Sequence, residues 1–361
     1  MRAWAALAVA LASGCTDLRP DPREALAALP TTVPAPADNP TTPAAVELGR
    51  LLFWDPILSG GQDVACATCH HPDFGYADGL PRSIGVGGRG VGPARAVGTT
   101  APRTPRNAPT VLATAWNGFT SQGAVAPEQA PMFWDNRARS LEAQVLGPMR
   151  SQVEMRGTTY REDEIVDVVV ARLAAIPAYA TRFTAAFGAD GVTASTMARA
   201  LAAFERTLVP VDASFDRYMR GDDDALTAEQ IRGLHGFVYQ GCTKCHSGPM
   251  LSDFALHELP VPPVPGEPED LGNGLRQFRT PSLRMVTLTA PYMHNGAAAD
   301  FGEVFDFYHN VEVTDPLLGG DVEPPHGGGD ELILFLHALS DGQFDRTIPA
   351  SVPSGLPPGG P

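Results

Sequence analysis

Cys66-Ala67-Thr68-Cys69-His70 recurs later in the chain as Cys242-Thr243-Lys244-Cys245-His246. In Cys-x-x-Cys-His, two thiols can add across the vinyl groups of a haem while the adjacent imidazole reaches under the iron. The ring dictates the spacing, because both thioether bonds and the axial bond must close on one rigid macrocycle. A zinc knuckle or a redox dithiol could use Cys-x-x-Cys alone. Zinc would need two more ligands per pair, and only scattered histidines lie near the second pair. The sequence has five cysteines, and four of them belong to these motifs. We therefore expect two covalently bound haems c, one on Cys66 and Cys69 with His70 as proximal ligand, the other on Cys242 and Cys245 with His246. The fold expected around two such rings is mostly α, with two cytochrome c-like domains and little strand.

A chain of 361 residues is long enough for two such domains. Its 37 glycines and 35 prolines predict long irregular loops. A net charge of −15 argues against nucleic-acid binding, which needs basic surface, and favours a cationic electron-transfer partner. The fifth cysteine, Cys15, follows an apolar run from Ala3 to Ala12 that reads as an export signal. The run is too short to span a membrane as a helix. Small residues before Cys15 resemble a lipoprotein signal, although Ala12 stands where such signals usually carry Leu. Lipidation of Cys15 and simple cleavage both place the chain in the periplasm, and the only membrane attachment expected is a lipid anchor.

Five segments follow: a signal over 1–15, a Pro/Ala-rich tether over 16–42, an N-terminal haem domain over 43–222, a C-terminal haem domain over 223–345 and a flexible tail over 346–361. Apolar periodicity predicts helices over Ala44–Trp54, Ser140–Gln144, Glu162–Ala175, Thr193–Leu208, Ala228–Tyr239 and Asp330–Leu339, and one starting near Phe301. Thr227 and Gln230 form a capping-box pattern. Helix, turn and Cys-x-x-Cys-His thus occur in that order twice. Gly85-Val86-Gly87-Gly88-Arg89-Gly90 fits G-x-G-x-x-G formally, but Pro81 and Pro93 flank it where a dinucleotide site needs a strand and a helix.

Several stretches together resemble the bacterial di-haem cytochrome c peroxidases, and within them the MauG-like branch. They are Glu47-Leu48-Gly49-Arg50-Leu51-Leu52-Phe53, Pro105-Arg106-Asn107-Ala108-Pro109-Thr110, Phe133-Trp134-Asp135-Asn136-Arg137-Ala138, Gly147-Pro148 with Val153-Glu154-Met155, and Leu288 through Gly296. The resemblance implies hydrogen peroxide as substrate at the N-terminal haem and electron relay through the C-terminal one. It implies that Glu154 and Gln144 line the distal pocket of the first haem and that Trp134 lies between the haems. It also implies a calcium ion held by Asn107 and the backbone carbonyls of Thr289 and Pro291, and a place for His294 near the propionates of the second haem. A homodimer is implied by the resemblance alone. Glu154 as a carboxylate can move a proton between the two peroxide oxygens, and Gln144 can orient the peroxide.

Two departures matter. Many di-haem peroxidases carry a capping histidine in the loop after the first haem, yet no histidine occurs between Pro72 and Leu234. His71 cannot reach the far face while His70 is bound. The first haem is therefore expected to keep an open face. The sixth ligand of the second haem, usually a methionine in the peroxidases, is a tyrosine in the MauG-like branch. Tyr308 stands at that place, fourteen residues after His294, and no methionine follows Met293. His309 is a rival next door, pointing about 100° away on a helix.

Three functions are in play: a peroxidase drawing electrons from a small cytochrome c or copper protein, a MauG-like oxidase of a protein side chain acting through a high-valent di-haem state, and an electron carrier without turnover. Glu154 and Gln144 have no use in the third.

Overall fold

The computed structural model describes residues 21–97, 102–311 and 329–361. Cys15, the signal segment and the first residues of the expected tether lie outside the described residues. The architecture is mostly helical. The helices are α1 (Pro43–Trp54), α2 (Cys66–Cys69), α3 (Leu141–Gln144), α4 (Leu146–Arg150), α5 (Ile165–Ala174), α6 (Pro177–Phe187), α7 (Ala194–Glu205), α8 (Ser214–Met219), α9 (Ala228–Tyr239), α10 (Phe301–Asn310) and α11 (Gly329–Ala338). Strand among the described residues is confined to two-residue antiparallel hairpins.

Each half is organised by one close helix crossing. Thr42 caps α1 by accepting the Ala45 N–H, and Pro43 occupies the first turn, where its missing N–H costs nothing. The buried stripe of α1 (Leu48, Leu51 and Leu52) meets α7. At the crossing Gly49 faces the backbone of α7, where a Cβ would come within 2.0 Å of the Ala200 carbonyl. In the second half Gly233 on α9 does the same against α11, with a Cβ placed 2.0 Å from the Glu331 carbonyl. The helix that leads into each haem motif is thus locked, through one glycine, to the last helix of its own half. The weak internal repeat read from the sequence is a repeat of this crossing.

The first core gathers Leu52, Phe53, Trp54, Ile165, Tyr179, Phe183 and Phe204; the second gathers Phe215, Leu234, Phe237, Phe335 and Leu339. The change of core falls between Leu208 and Phe215, ahead of the turn at Gly221–Asp224 where the sequence puts it. Helix α8 therefore packs with the second half, and its Asp216 forms a buried ion pair with Arg284 at 3.0 Å.

The chain ends depart from expectation. The stretch expected as a tether is, from residue 21, laid first against the second half and then, at Asn39, against Glu142 and Arg199 of the first. Leu26 joins the second core and Leu29 packs with Trp116, Met250 and Phe254. The Gly248 N–H donates to the Ala25 carbonyl at 2.7 Å and the Leu29 N–H to Asp216 at 2.8 Å. The stretch expected as a flexible tail, 346–361, crosses back to the first half. Val352 enters the first core, the Ser354 hydroxyl donates to Asp55 at 2.7 Å, and the Thr68 hydroxyl donates to the Gly359 carbonyl at 2.7 Å. Both corrections share one cause: a few apolar residues in a Pro-rich stretch find partners far away in sequence.

Candidate haem centres

The two motif histidines are held alike. His70 sets its Nδ1 3.0 Å from the Tyr76 carbonyl, and His246 sets its Nδ1 2.9 Å from the Leu251 carbonyl. A carbonyl can only accept, so each Nδ1 carries the proton and each Nε2 lone pair is left for a metal. Burial pushes both imidazoles below their ordinary value, which keeps them neutral and ligating. Burial also raises the thiols, Cys69 to about 12 and Cys242 to about 11. His71 is engaged locally: its Nδ1 accepts the Asp73 N–H at 3.2 Å, and its ring meets Trp54 edge-on.

Gln144 ends α3, and Glu154 sits in the π-helical turn Gln152–Arg156 that follows α4. That turn is pinned from outside, with the Gly60 N–H donating to Met155 O and the Val86 N–H to Val153 O. Gly85 lies so close that a Cβ would come within 2.2 Å of the Glu154 carbonyl. Glu154 is largely desolvated. Burial raises its carboxyl, against the lowering effects of Arg137 and the Ser151 hydroxyl, and the same carboxyl helps to raise the Cys69 thiol. A carboxyl poised above its usual range beside a haem-attachment cysteine is suited to giving and taking a proton.

The second motif opens on an apolar cavity of about 280 Å³ whose lining includes Cys242, Cys245 and His246. Trp134, Asn107, Thr289, Pro291, His294 and Tyr308 all line it too. The donor set fits a haem c: two thiols and a neutral imidazole on an apolar hollow, with a half-buried phenol, Tyr308, close enough to feel both cysteines. Burial raises that phenol above its ordinary value. His309 is exposed and outside the lining. The Trp134 indole N–H donates to the Asn107 carbonyl at 2.9 Å, and the Asn107 N–H donates to the His294 carbonyl at 2.8 Å. Those two bonds tie Trp134 of the first half to the second half. The Asn107 side chain spends its NH₂ on the Leu80 carbonyl at 2.9 Å, so its Oδ1 is the atom it can offer an ion. His294 is buried and stacked on Phe278 at 3.7 Å, and desolvation pushes it down to about 4.

Three buried groups escape the sequence reading. Glu205, at the end of α7, lies near Cys66, and burial raises its carboxyl to about 8, with Arg206 opposing and Glu142 adding. It falls four residues after Leu201, on the buried stripe of α7, and that spacing was the available signal. The second is the pair His257 and Asp253, 2.8 Å apart beside Cys245. The third is Arg279, buried in the hairpin Leu256–His257 with Phe278–Arg279. No periodicity marks the last two, because strands of two residues are too short to show one.

The sequence profile of the di-haem cytochrome c peroxidases matches residues 43–224. The chain is 36% identical to the methylamine utilization protein MauG of Methylorubrum extorquens, over 96% of each chain. It is 35% identical to the cytochrome c551 peroxidase of Pseudomonas aeruginosa, over 82% of this chain and 79% of that one. Among solved structures, a MauG-like protein associated with microbial copper homeostasis superposes with a TM-score of 0.67 at 27% identity, covering 86% of this chain and 94% of that chain. The diheme peroxidase BthA of Burkholderia thailandensis shares the fold, with a TM-score of 0.64 at 20% identity over 89% of this chain and 94% of that chain. No helix among the described residues is long and apolar enough to cross a membrane. With two Cys-x-x-Cys-His centres of matching geometry and relatives of this identity along nearly its whole length, the chain belongs to the di-haem cytochrome c peroxidases, a family of oxidoreductases.

Proposed function

We propose that the protein reduces hydrogen peroxide to water at its N-terminal haem with electrons that enter at the C-terminal haem. The observation that carries this reading is Glu154, a desolvated carboxyl raised above its usual range next to Cys69. When bound, the haems supply the redox chemistry. Glu154 takes the proton from one peroxide oxygen and returns it to the other, and Gln144 orients the peroxide by hydrogen bonding. Trp134, fixed through Asn107, bridges the two centres. His70 and His246 serve as proximal ligands. Asn107 Oδ1 and the carbonyls of Thr289 and Pro291 hold a calcium ion, a hard cation suited to oxygen donors. A small cytochrome c or copper protein is the electron donor, the compartment is the periplasm, and Cys15 carries a lipid anchor.

Steady-state turnover of peroxide with reduced cytochrome c tests the reading. Holoprotein carrying both haems that fails to consume peroxide with any small periplasmic donor overturns it and leaves an electron carrier.

A second reading, oxidation of a protein side chain as in the MauG-like branch, draws on Tyr308. A phenolate is a harder, anionic donor than a thioether, and it favours the oxidised states of a haem. Peroxide treatment without an external donor, followed by mass spectrometry of candidate partner proteins, separates it from the first.

A further inference from the structure

Among the described residues, Arg279 is a buried cation without an ion-pair partner. Its backbone N–H donates to the Trp134 carbonyl at 2.6 Å, and its Nη1 donates to the Pro131 carbonyl at 2.7 Å. Its guanidinium carbon lies 5.6 Å from the centre of the Phe254 ring. Its Nε is buried and has no hydrogen-bond partner among the described residues. The side chain is only 8% exposed, yet it makes no ion pair among those residues. Arg284 pairs with Asp216 at 3.0 Å and Arg206 with Glu142 at 2.7 Å. Arg95, buried without an ion pair, spends Nε, Nη1 and Nη2 on the Ile84, Gly90 and Gly85 carbonyls, whereas Arg279 leaves its Nε unused. The carboxylate that Arg279 feels most is Asp135, and it is already engaged by Arg106 at 2.7 Å and Arg137 at 2.8 Å.

A guanidinium does not escape this cost by losing its proton near neutral pH. Leaving a charge buried and uncompensated is strongly destabilising. The planar fork of Arg matches a carboxylate. Arg279 lines the same cavity as Cys242, Cys245 and His246, and a haem brings two carboxylates of its own into such a cavity. His294, on the same lining, is held neutral by burial and cannot supply the missing positive charge.

We propose that Arg279 is the buried counter-ion of a propionate of the second haem, held in place by Trp134 and Pro131, and that its charge helps set that haem's reduction potential. The proposal rests on the reading that the second haem occupies this cavity. Arg279 acts here as a binding and positioning residue: a fixed cation beside a haem edge favours the reduced state.

The test is spectroelectrochemical titration of the second haem between pH 5 and 8 in holoprotein, with haem content checked by mass, for wild type, Arg279→Lys and Arg279→Gln. The expected result is a lower potential in Arg279→Gln that becomes steeper in pH as the propionate loses its counter-ion, with Arg279→Lys close to wild type. Asp135, Asp253, His257 and His294 face this region in all three proteins, so a slope that appears only in Arg279→Gln reports the propionate. Arg279→Gln with both haems present and an unchanged potential and slope overturns the proposal. Where Arg279→Gln does not fold, the propionate-bending band in resonance Raman spectra decides: a shift between wild type and Arg279→Lys supports the contact, and identical bands overturn it. A chain that never attaches the second haem fails the underlying reading, and the mass measurement shows that separately.

Discussion

Tyr308 and His309 are neighbours on α10, yet only Tyr308 reaches the cavity of the second centre; His309 stays exposed. A helix separates successive side chains by about 100°, so a wall that takes one residue rejects the next. Tyr308→Phe is expected to abolish the phenolate-type absorption of the oxidised second haem and change its spin state. His309→Ala should leave both haem spectra as in wild type. Electron paramagnetic resonance of the two oxidised variants checks this, and a change in His309→Ala alone reverses the assignment.

Glu154→Gln keeps the size of the side chain and removes its proton chemistry. Peroxide cleavage should slow by about 10²–10⁴-fold, with both haem spectra and the melting temperature preserved. Stopped-flow mixing with peroxide measures it. Full activity in this variant removes the acid–base role.

Glu205 gives a pH signature. Its carboxyl, raised to about 8 by burial, is neutral in the folded protein where the unfolded chain has already lost the proton. The folded state then binds more protons, so this group's contribution is fully present below about pH 4 and is lost as pH rises towards 8. At about 1.4 kcal/mol per unit, the loss reaches a few kcal/mol. Glu205→Gln should therefore flatten the decline of stability between about pH 5 and 8, seen in denaturant titrations at several pH values. An equal slope in both proteins would show that Glu205 is ionised when folded.

Removal of residues 346–361 should destabilise the half of the molecule that lies far from them in sequence. Asp55 is fully buried and receives the Tyr179 hydroxyl at 2.5 Å and the Ser354 hydroxyl at 2.7 Å. Truncation strips one of those donors, uncovers the site of Val352 and frees Thr68. Together these are worth about 3–5 kcal/mol. Calorimetry of the holoprotein should show the transition of the first haem domain falling while that of the second stays in place.

Much of this was legible in the residues. Haem chemistry follows from the two Cys-x-x-Cys-His motifs, and α1, α7, α9 and α11 follow from apolar spacing. The Thr227 and Gln230 capping box forms as read, with reciprocal bonds of 2.9 and 3.3 Å. Helix α6 escaped because its buried face shows little more than Tyr179 and Phe183 among polar neighbours. The π-helical turn that carries Glu154 escaped because five residues are too few to show a period. The packing of Leu26, Leu29 and Val352 escaped because nothing local to those residues names their partners. Arg279 escaped for a similar reason: a single charge on a two-residue strand reads as solvated until the cavity around it is known.

The crossing of the two ends also bears on the order in which the molecule can be completed. Thr68, inside the first attachment motif, bonds to Gly359, 291 residues further along the chain. An emerging chain therefore presents Cys66 and Cys69 to the attachment machinery before that latch exists. Closure of the first haem site by this bond waits on a segment that can reach it only after the whole second half has been made.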